Sequence, residues 1–472
     1  MTTQATAPPV AEKPETRVAA APARVAVAAP RHEVAWLVAG VGLASGLVGL
    51  FATVGADARW LAALGRYIAQ RGAIPHGVPF ASASTSHWVN SLVLAELVFH
   101  GLESGLGDRG LILANLVAVI GGLSLLALDA RREGAGPSVI AGTLLLVAIA
   151  VFPSLAIARV QMFSIILFPA LLWLLRADAR QPSARIWWAL PLLALWSNLH
   201  GAALAGVGVL WAYLLLSRGR RQPVSSALLA AAALVALCVT PAGLSTVTYY
   251  HGLLTNVAAQ RGVGQWAPLG QSPFDWATVV IALILGIRLR RRLPEVWEAA
   301  VIVGLAVLTI KAARDGVWLM FFLVAPATRG RDSSGRWNAL APVLVVLGVL
   351  LLAFDVARAP HPSGASSAMV KRAVQLAGGT PILADGLPSE QIAWAGGRIW
   401  AGNPLDAFSR RVQSEYVDFL TGSRGGRVAL NAAGVRYVLV TRGSSAAALT
   451  AQDRHYTLLA SDATALLYRR GS

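Results

Sequence analysis

A single cysteine, Cys238, in 472 residues rules out an intramolecular disulfide and any site built on several thiolate ligands. It lies inside an apolar run, where an inert core thiol belongs. Charge is scarce too: charged residues make up 13% of the chain, against about a quarter in a soluble domain. Acidic side chains are the rarer sign, 23 against 40 basic, and the only lysines are Lys13, Lys311 and Lys371. No internal repeat, no Gly-rich phosphate loop and no HExxH-type ligand spacing is present. These absences exclude a disulfide-stapled domain, a cysteine-based zinc module, a P-loop enzyme and an ordinary soluble fold.

What fills the chain is apolar. Hydrophobic residues are 56% of it, and the mean hydropathy is +0.60. They gather into runs of about 20, enough to cross a hydrocarbon core of ~30 Å at ~1.5 Å per residue. Spans are predicted at 34–54, 109–128, 138–157, 160–176, 186–199, 201–217, 224–244, 274–290, 296–312, 315–328 and 338–357. The shortest, 186–199 and 315–328, suit helices that line a protein cavity rather than lipid. The fold class is therefore α-helical and polytopic, with about eleven transmembrane helices.

A net charge of +17 in a soluble protein would point to nucleic acid. Here the excess sits in short connections between apolar runs, so topology accounts for it and no nucleic-acid partner is expected. With the N-terminus in the cytoplasm, the inside connections hold Arg131 and Arg132; Arg176, Arg180 and Arg185; Arg218, Arg220 and Arg221; Arg288, Arg290, Arg291 and Arg292; and Arg329, Arg331 and Arg336. Adding or losing one span breaks that alternation. The Arg, Ala and Gly richness reads as GC-rich bacterial coding, which places the chain in a bacterial inner membrane.

Residues 1–33 are Ala- and Pro-rich without apolar periodicity and read as a disordered cytoplasmic tail rather than a signal peptide. Residues 34–357 form the transmembrane domain, with a long outer segment at 55–108 and a second at 245–273. The first should hold amphipathic helices at Ala56–Gln70 and His87–Leu106, joined by a turn region around Gly72, Pro75, Gly77 and Pro79. Residues 358–472 read as a small α/β domain on the outer face. Strands are predicted at Pro381–Ala384, Ile399–Ala401 and Arg436–Thr441, a helix at Ala407–Leu420, and a hairpin of Tyr456–Ala460 with Ala463–Tyr468.

A charge at membrane depth costs at least ~2.5–3.5 kcal/mol on insertion scales, so it usually faces a cavity or a partner. Four places on the outer side carry such residues. Asp57, directly after the first span, is either a general base for a hydroxyl acceptor or the N-cap of the helix that follows. Arg159, between spans three and four, either holds a phosphate bidentately or snorkels to the interface. Trp196-Ser-Asn198-Leu-His200-Gly201 breaks an apolar stretch, as a polar cavity lining or a locally satisfied helix break. Lys311-Ala-Ala-Arg314-Asp315 holds either a second cationic contact or a self-neutralising Arg–Asp pair. Shared sidedness is the signal: cations with one carboxylate on one face suit a lipid phosphate and an acceptor.

In this order of elements the chain resembles the GT-C superfamily of membrane glycosyltransferases. It looks most like their bacterial, protein-mannosyltransferase-related branch. The residues that carry the likeness are Asp57-Ala-Arg-Trp60, Gly65-Arg-Tyr-Ile68, Gly72-Ala-Ile-Pro75, Pro79-Phe-Ala-Ser82 and Trp88. Further on come Arg159-Val-Gln-Met-Phe-Ser164, Trp196-Ser-Asn-Leu-His-Gly201, Thr240-Pro-Ala-Gly243, Gln265-Trp-Ala-Pro268 and Arg314, then Gly397–Phe408 and Arg436–Thr441 in the C-terminal domain. The resemblance implies Asp57 as catalytic base and Arg159, His200 and Arg314 as lipid-phosphate contacts. Trp60, Gln161, Trp196, Asn198, Gln265 and Trp266 would line the cavity around them. Two positions depart from the pattern: Val78 precedes Pro79-Phe80 and Gln265 precedes Trp266 where the family carries acids. A metal loses two ligands by that change, and no metal site is assigned.

The function so implied is transfer of a sugar from a polyprenyl-phosphate donor to a hydroxyl acceptor on a glycan, lipid or protein at the outer face. Two rivals share the residues. A transporter or flippase of an anionic lipid needs the cations but no carboxylate, and a non-catalytic envelope scaffold needs neither.

Overall fold

The computed structural model describes residues 31–332 and 335–471; the expected tail lies outside it up to residue 30. In chain order the first part runs α1 (Arg31–Leu50), β1 (Thr53–Val54), α2 (Ala58–Arg71), α3 (Val93–Leu106), α4 (Asp108–Arg132), α5 (Pro137–Ala150), α6 (Phe152–Ala156), β2 (Ile157–Ala158), α7 (Met162–Arg180) and α8 (Ala189–Ser197). It continues with α9 (Ala203–Leu216), α10 (Pro223–Leu237), α11 (Thr246–Thr255), α12 (Val257–Arg261), α13 (Pro273–Leu289), α14 (Val296–Lys311), α15 (Gly316–Thr328) and α16 (Ala341–Ala357). The C-terminal part adds α17 (Ser367–Ala377), β3 (Ile382–Ala384), α18 (Gly386–Trp394), α19 (Arg410–Leu420), α20 (Arg427–Leu430), β4 (Tyr437–Thr441), α21 (Ser445–Ala451), β5 (Tyr456–Ser461) and β6 (Ala465–Arg470).

Each predicted span falls on an apolar helix, with shifted ends. The first runs 31–50 rather than 34–54 because Thr53 and Val54 leave the helix to pair as β1. Prolines set several starts: α5, α10, α13 and α16 carry Pro in the first two helical positions, where a missing N–H costs nothing. Among the described residues four helices are long and apolar enough to cross a membrane by themselves: His32–Leu50, Asp108–Arg132, Met162–Arg180 and Trp337–Ala357. The others are shorter, and α15 shows why that is tolerated. All thirteen of its residues are buried, so protein surrounds it on every side. Helices α4, α5, α13 and α14 pack around it.

The arginines at one end of the bundle are less solvated than their loop positions suggest. Arg176 pairs with Asp129 and Glu298 and donates to Phe322 O at 2.9 Å. Arg218 pairs with Asp178, and Arg329 bridges Glu298 and Glu133. The scarce acids of the bundle are thus concentrated where they can be neutralised, since an unpaired buried charge is strongly destabilising.

At the other end lies the C-terminal part, a four-stranded sheet ordered β3-β4-β6-β5. β3 and β4 are parallel, and the hairpin β5–β6 turns where predicted, with Asp462 Oδ1 accepting the N–H groups of Thr464 and Ala465 at 2.8 and 2.7 Å. Residues 399–401 form no strand; Ile399 alone makes isolated bridges, to Ala81 and Ile382, and its N–H is taken by Phe80 O at 2.9 Å. The helix expected from 407 begins at Arg410, where Ser409 caps it, and the one expected from 87 begins at Val93. Helix α18 packs on α2, and Arg66 of α2 stacks on Trp394 at 4.6 Å and donates to its carbonyl at 2.8 Å.

Candidate functional site

An acid and a guanidinium far apart in the chain meet through a two-residue ladder. β1 pairs in parallel with β2, Val54 opposite Ala158, and Gly55 N–H donates to Ala158 O at 3.0 Å. Asp57 follows one strand and Arg159 the other, so both side chains reach the same wall of one cavity. Gly55 permits the approach: a Cβ there would lie 2.0 Å from Ile157 Cγ2.

Asp57 occupies the N-cap position of α2, yet its side chain makes no capping bond. Its φ is +77°, the one positive value on a non-glycine residue among those described. Such backbone costs about 1–3 kcal/mol and persists only where the surroundings impose it. Here they do. Oδ1 accepts from Trp60 Nε1 at 3.1 Å and from Asn403 Nδ2 at 3.4 Å, while Oδ2 has no partner among the described residues. The capping comes from the C-terminal part: Glu390 Oε1 accepts Asp57 N–H at 2.9 Å and Oε2 accepts Arg59 N–H at 3.3 Å. Asn403 Nδ2 ties Glu390 Oε1 as well, at 2.9 Å.

Burial, followed by the neighbouring Asp57 charge, pushes the Glu390 carboxyl up from 4.5 to about 8. Between those values the folded protein keeps a proton that the unfolded chain has released. Stability therefore falls as pH rises through that window. Glu96 and Glu103 of α3, raised by burial to about 8 and about 7, titrate in the same range. The expected result is a thermal midpoint that declines from about pH 5 to about pH 9, with a shallower decline in Glu390→Gln. Parallel curves for the two proteins would refute the assignment.

Arg159 is buried, 7% exposed, yet among the described residues no carboxylate forms a salt bridge with it. Nη1 donates to Gln265 Oε1 at 2.7 Å, Nη2 to Gln161 Oε1, and Nε is left without a partner. Both acceptors are neutral amides, so these hydrogen bonds orient the guanidinium without an ion pair, and the carboxylates whose charge reaches it are Asp57 and Asp315. The departure at Gln265 acquires a physical meaning: an acid there would quench the charge. Arg314 lies over the Trp266 ring at 3.7 Å and forms no direct salt bridge with Asp315 among the described residues, although the two charges act on each other. Two loops are pinned together to place it, Ala313 N–H donating to Ala267 O at 3.0 Å and Leu269 N–H to Ile310 O at 3.1 Å.

His200 sits at the break between α8 and α9. Trp196 Nε1 donates to Ser164 Oγ at 2.6 Å, and Ser164 Oγ lies 2.6 Å from His200 Nδ1. With the serine proton directed to Nδ1, the ring proton rests on Nε2, a neutral donor for the cavity.

The cavity has a volume of about 800 Å³. Asp57, Trp60, Arg159, Gln161, His200, Gln265, Trp266 and Arg314 all line it. Trp196 and Asn198 do not. Trp196 is wholly buried beneath it, holding Ser164, and Asn198 spends its amide on the carbonyls of Ala194 and Val239 to close the helix break. Four contributors carried no signal of their own in the sequence: Tyr249, Glu390, Asn403 and Asp406. The segment Gly397–Phe408 contains two of them, but nothing in its composition singles them out. Burial raises the Asp406 carboxyl to about 6, against the Trp88 hydrogen bond that lowers it. Along one flank Leu204, Ala205 and Gly208 of α9 face Leu305 and Leu308 of α14, an apolar wall reaching the bundle surface. No group of three or more His, Cys, Asp or Glu able to hold a metal occurs among the described residues.

No protein-family model matches the chain, and no curated protein matches it. Two solved structures are similar over nearly its full length. ArnT from Cupriavidus metallidurans in the apo state is 13% identical, with a TM-score of 0.50, and the match covers 92% of this chain and 96% of that one. The same protein bound to undecaprenyl phosphate is 14% identical with a TM-score of 0.49 and the same coverage. At such identity the likeness is one of fold: this is an integral, polytopic membrane protein with the architecture of ArnT and a small C-terminal sheet.

Proposed function

We propose that the protein is a membrane glycosyltransferase that moves a sugar from a polyprenyl-phosphate carrier to a hydroxyl acceptor. One observation carries the reading: a buried guanidinium held by two neutral amides, beside a carboxylate with a free oxygen. An Arg whose hydrogen bonds go only to neutral amides, in an apolar-walled cavity, keeps its charge available to an anion. The apolar flank between α9 and α14 gives a lipid tail a route to it.

In the proposed step Asp57 Oδ2 takes the acceptor hydroxyl proton as that oxygen attacks the anomeric carbon. The bond from that carbon to the phosphate oxygen breaks, and the phosphate leaves with its added charge balanced by Arg159 and Arg314. His200 Nε2–H donates to it. Cations fixed in place before the reaction need no reorganisation as the charge develops. We place the cavity and residues 358–472 outside the cytoplasm of a bacterial inner membrane, with residues 34–357 spanning it and the N-terminus inside. The likeness to the protein-mannosyltransferase branch rests on the sequence motifs alone.

Binding of undecaprenyl phosphate to the purified protein tests this reading. Arg159→Ala is expected to weaken binding about tenfold or more, the worth of a charged hydrogen bond. Gln265→Glu should weaken it comparably by pairing with Arg159, and Asp57→Asn should spare it. Absence of binding by the native protein would remove the lipid-phosphate reading and leave the scaffold rival.

A further inference from the structure

The cavity has a second pole, opposite in character to the one built on Arg159. Asp406 enters it from the C-terminal part and Trp88 from the segment between α2 and α3, joined by a Trp88 Nε1 to Asp406 Oδ2 hydrogen bond of 3.2 Å. Asp406 Oδ1 makes no bond to another residue among those described. Tyr249 of α11 completes the group, and its hydroxyl has no hydrogen-bond partner among the described residues. That hydroxyl reaches the wall because residue 201 is glycine: a Cβ there would lie 2.8 Å from it.

Each feature excludes one kind of occupant. An anion is repelled by Asp406 and by Asp57, whose charges act on each other. A purely apolar group would strand a carboxylate oxygen and a phenol without partners, leaving the desolvation of each uncompensated. What fits is a ring rich in hydroxyls, with O–H groups to donate to the carboxylate, an oxygen to accept from tyrosine, and a C–H face for an aromatic wall.

We propose that Asp406, Trp88 and Tyr249 form a binding subsite for a pyranose ring. The inference rests on the glycosyltransferase reading and deepens it, since a ring held here with its phosphate at Arg159 would bring the anomeric carbon to Asp57. The ring belongs either to the lipid-linked donor or to a sugar acceptor; the chemistry of recognition is shared.

Binding to the full-length purified protein is measured with three probes. They are undecaprenyl phosphate, its glucosyl and mannosyl forms, and the free methyl glucopyranoside and mannopyranoside. A donor sugar makes the glycosylated lipid bind about tenfold more tightly than the bare lipid, a gain of about 1.4 kcal/mol. An acceptor sugar appears instead as free pyranoside binding that adds to lipid binding. In either case Asp406→Asn is expected to abolish the sugar-dependent part while bare-lipid affinity stays put. Tyr249→Phe, which removes one oxygen only, should reduce it and guards against a misfolded first variant. A sugar-dependent part that survives both substitutions overturns the proposal, and so does its complete absence from the native protein. Pyranoside binding that depends on Asp406, without any lipid binding, would defeat the lipid-phosphate reading and leave this subsite standing.

Discussion

Asp57→Asn is expected to lower sugar transfer by about 10²–10⁴-fold, the usual contribution of a positioned general base, with undecaprenyl phosphate affinity unchanged. The substitution is specific for a structural reason. Asn tolerates left-handed backbone nearly as well as Asp does, so φ of +77° can be kept. Its side-chain oxygen can still accept from Trp60 Nε1. What vanishes is the free Oδ2 and its capacity to take a proton. Asp57→Gly keeps the backbone too and should be as inactive, whereas a loss arising from misfolding would separate the two. The measurement is transfer by purified protein from whichever polyprenyl-phosphate sugar the native protein uses. Native rates in Asp57→Asn would sink the catalytic role, and the cavity would then be a holder of lipid phosphate.

Arg176→Leu should do comparable damage by another route, and at the opposite end of the bundle. Its side chain is 1% exposed and touches Asp129, Glu298 and the Phe322 carbonyl. Removing it leaves Glu298 with Arg329 but leaves the Asp129 carboxylate without a side-chain partner among the described residues. Stripping one partner from a buried pair costs about 3–5 kcal/mol, most of it the stranded charge. Little monodisperse protein should survive extraction into detergent and size-exclusion chromatography. Removing the stranded acid as well tests the cause: Arg176→Leu with Asp129→Leu should recover most of the loss, since apolar replacement of a buried pair is often close to neutral. If the double variant is no better than the single one, packing of the arginine stem matters more than charge.

These two residues divide along the line of what a sequence reveals. Arg176 was visible as one of several loop arginines, and its regular placement spoke for topology. Its burial among acids from α4 and α14 was not visible, because the pairing partners lie on other helices. Asp57 was visible as a carboxylate beside a membrane span, open to reading as a cap or as a base. Only the structure shows that its side chain caps nothing and that Glu390 holds the helix start instead. Trp196 and Asn198 mark the reverse error. A polar motif at a helix break drew attention as a unit, yet only His200 and Gly201 of it reach the cavity.

By itself the sequence determined the helical, polytopic class with a small C-terminal sheet, and it put forward Arg159, His200 and Arg314 as cavity candidates. All of these follow from signals local in the chain: run length, periodicity, turn residues, and charge where hydrocarbon should be. Tertiary structure decided how the site is assembled. The ladder between residues 53–54 and 157–158 sets Asp57 beside Arg159, and the docking of α18 on α2 brings Glu390, Asn403 and Asp406 to them. Such contacts join segments separated by hundreds of residues. Their energy depends on which faces meet, which no local pattern encodes.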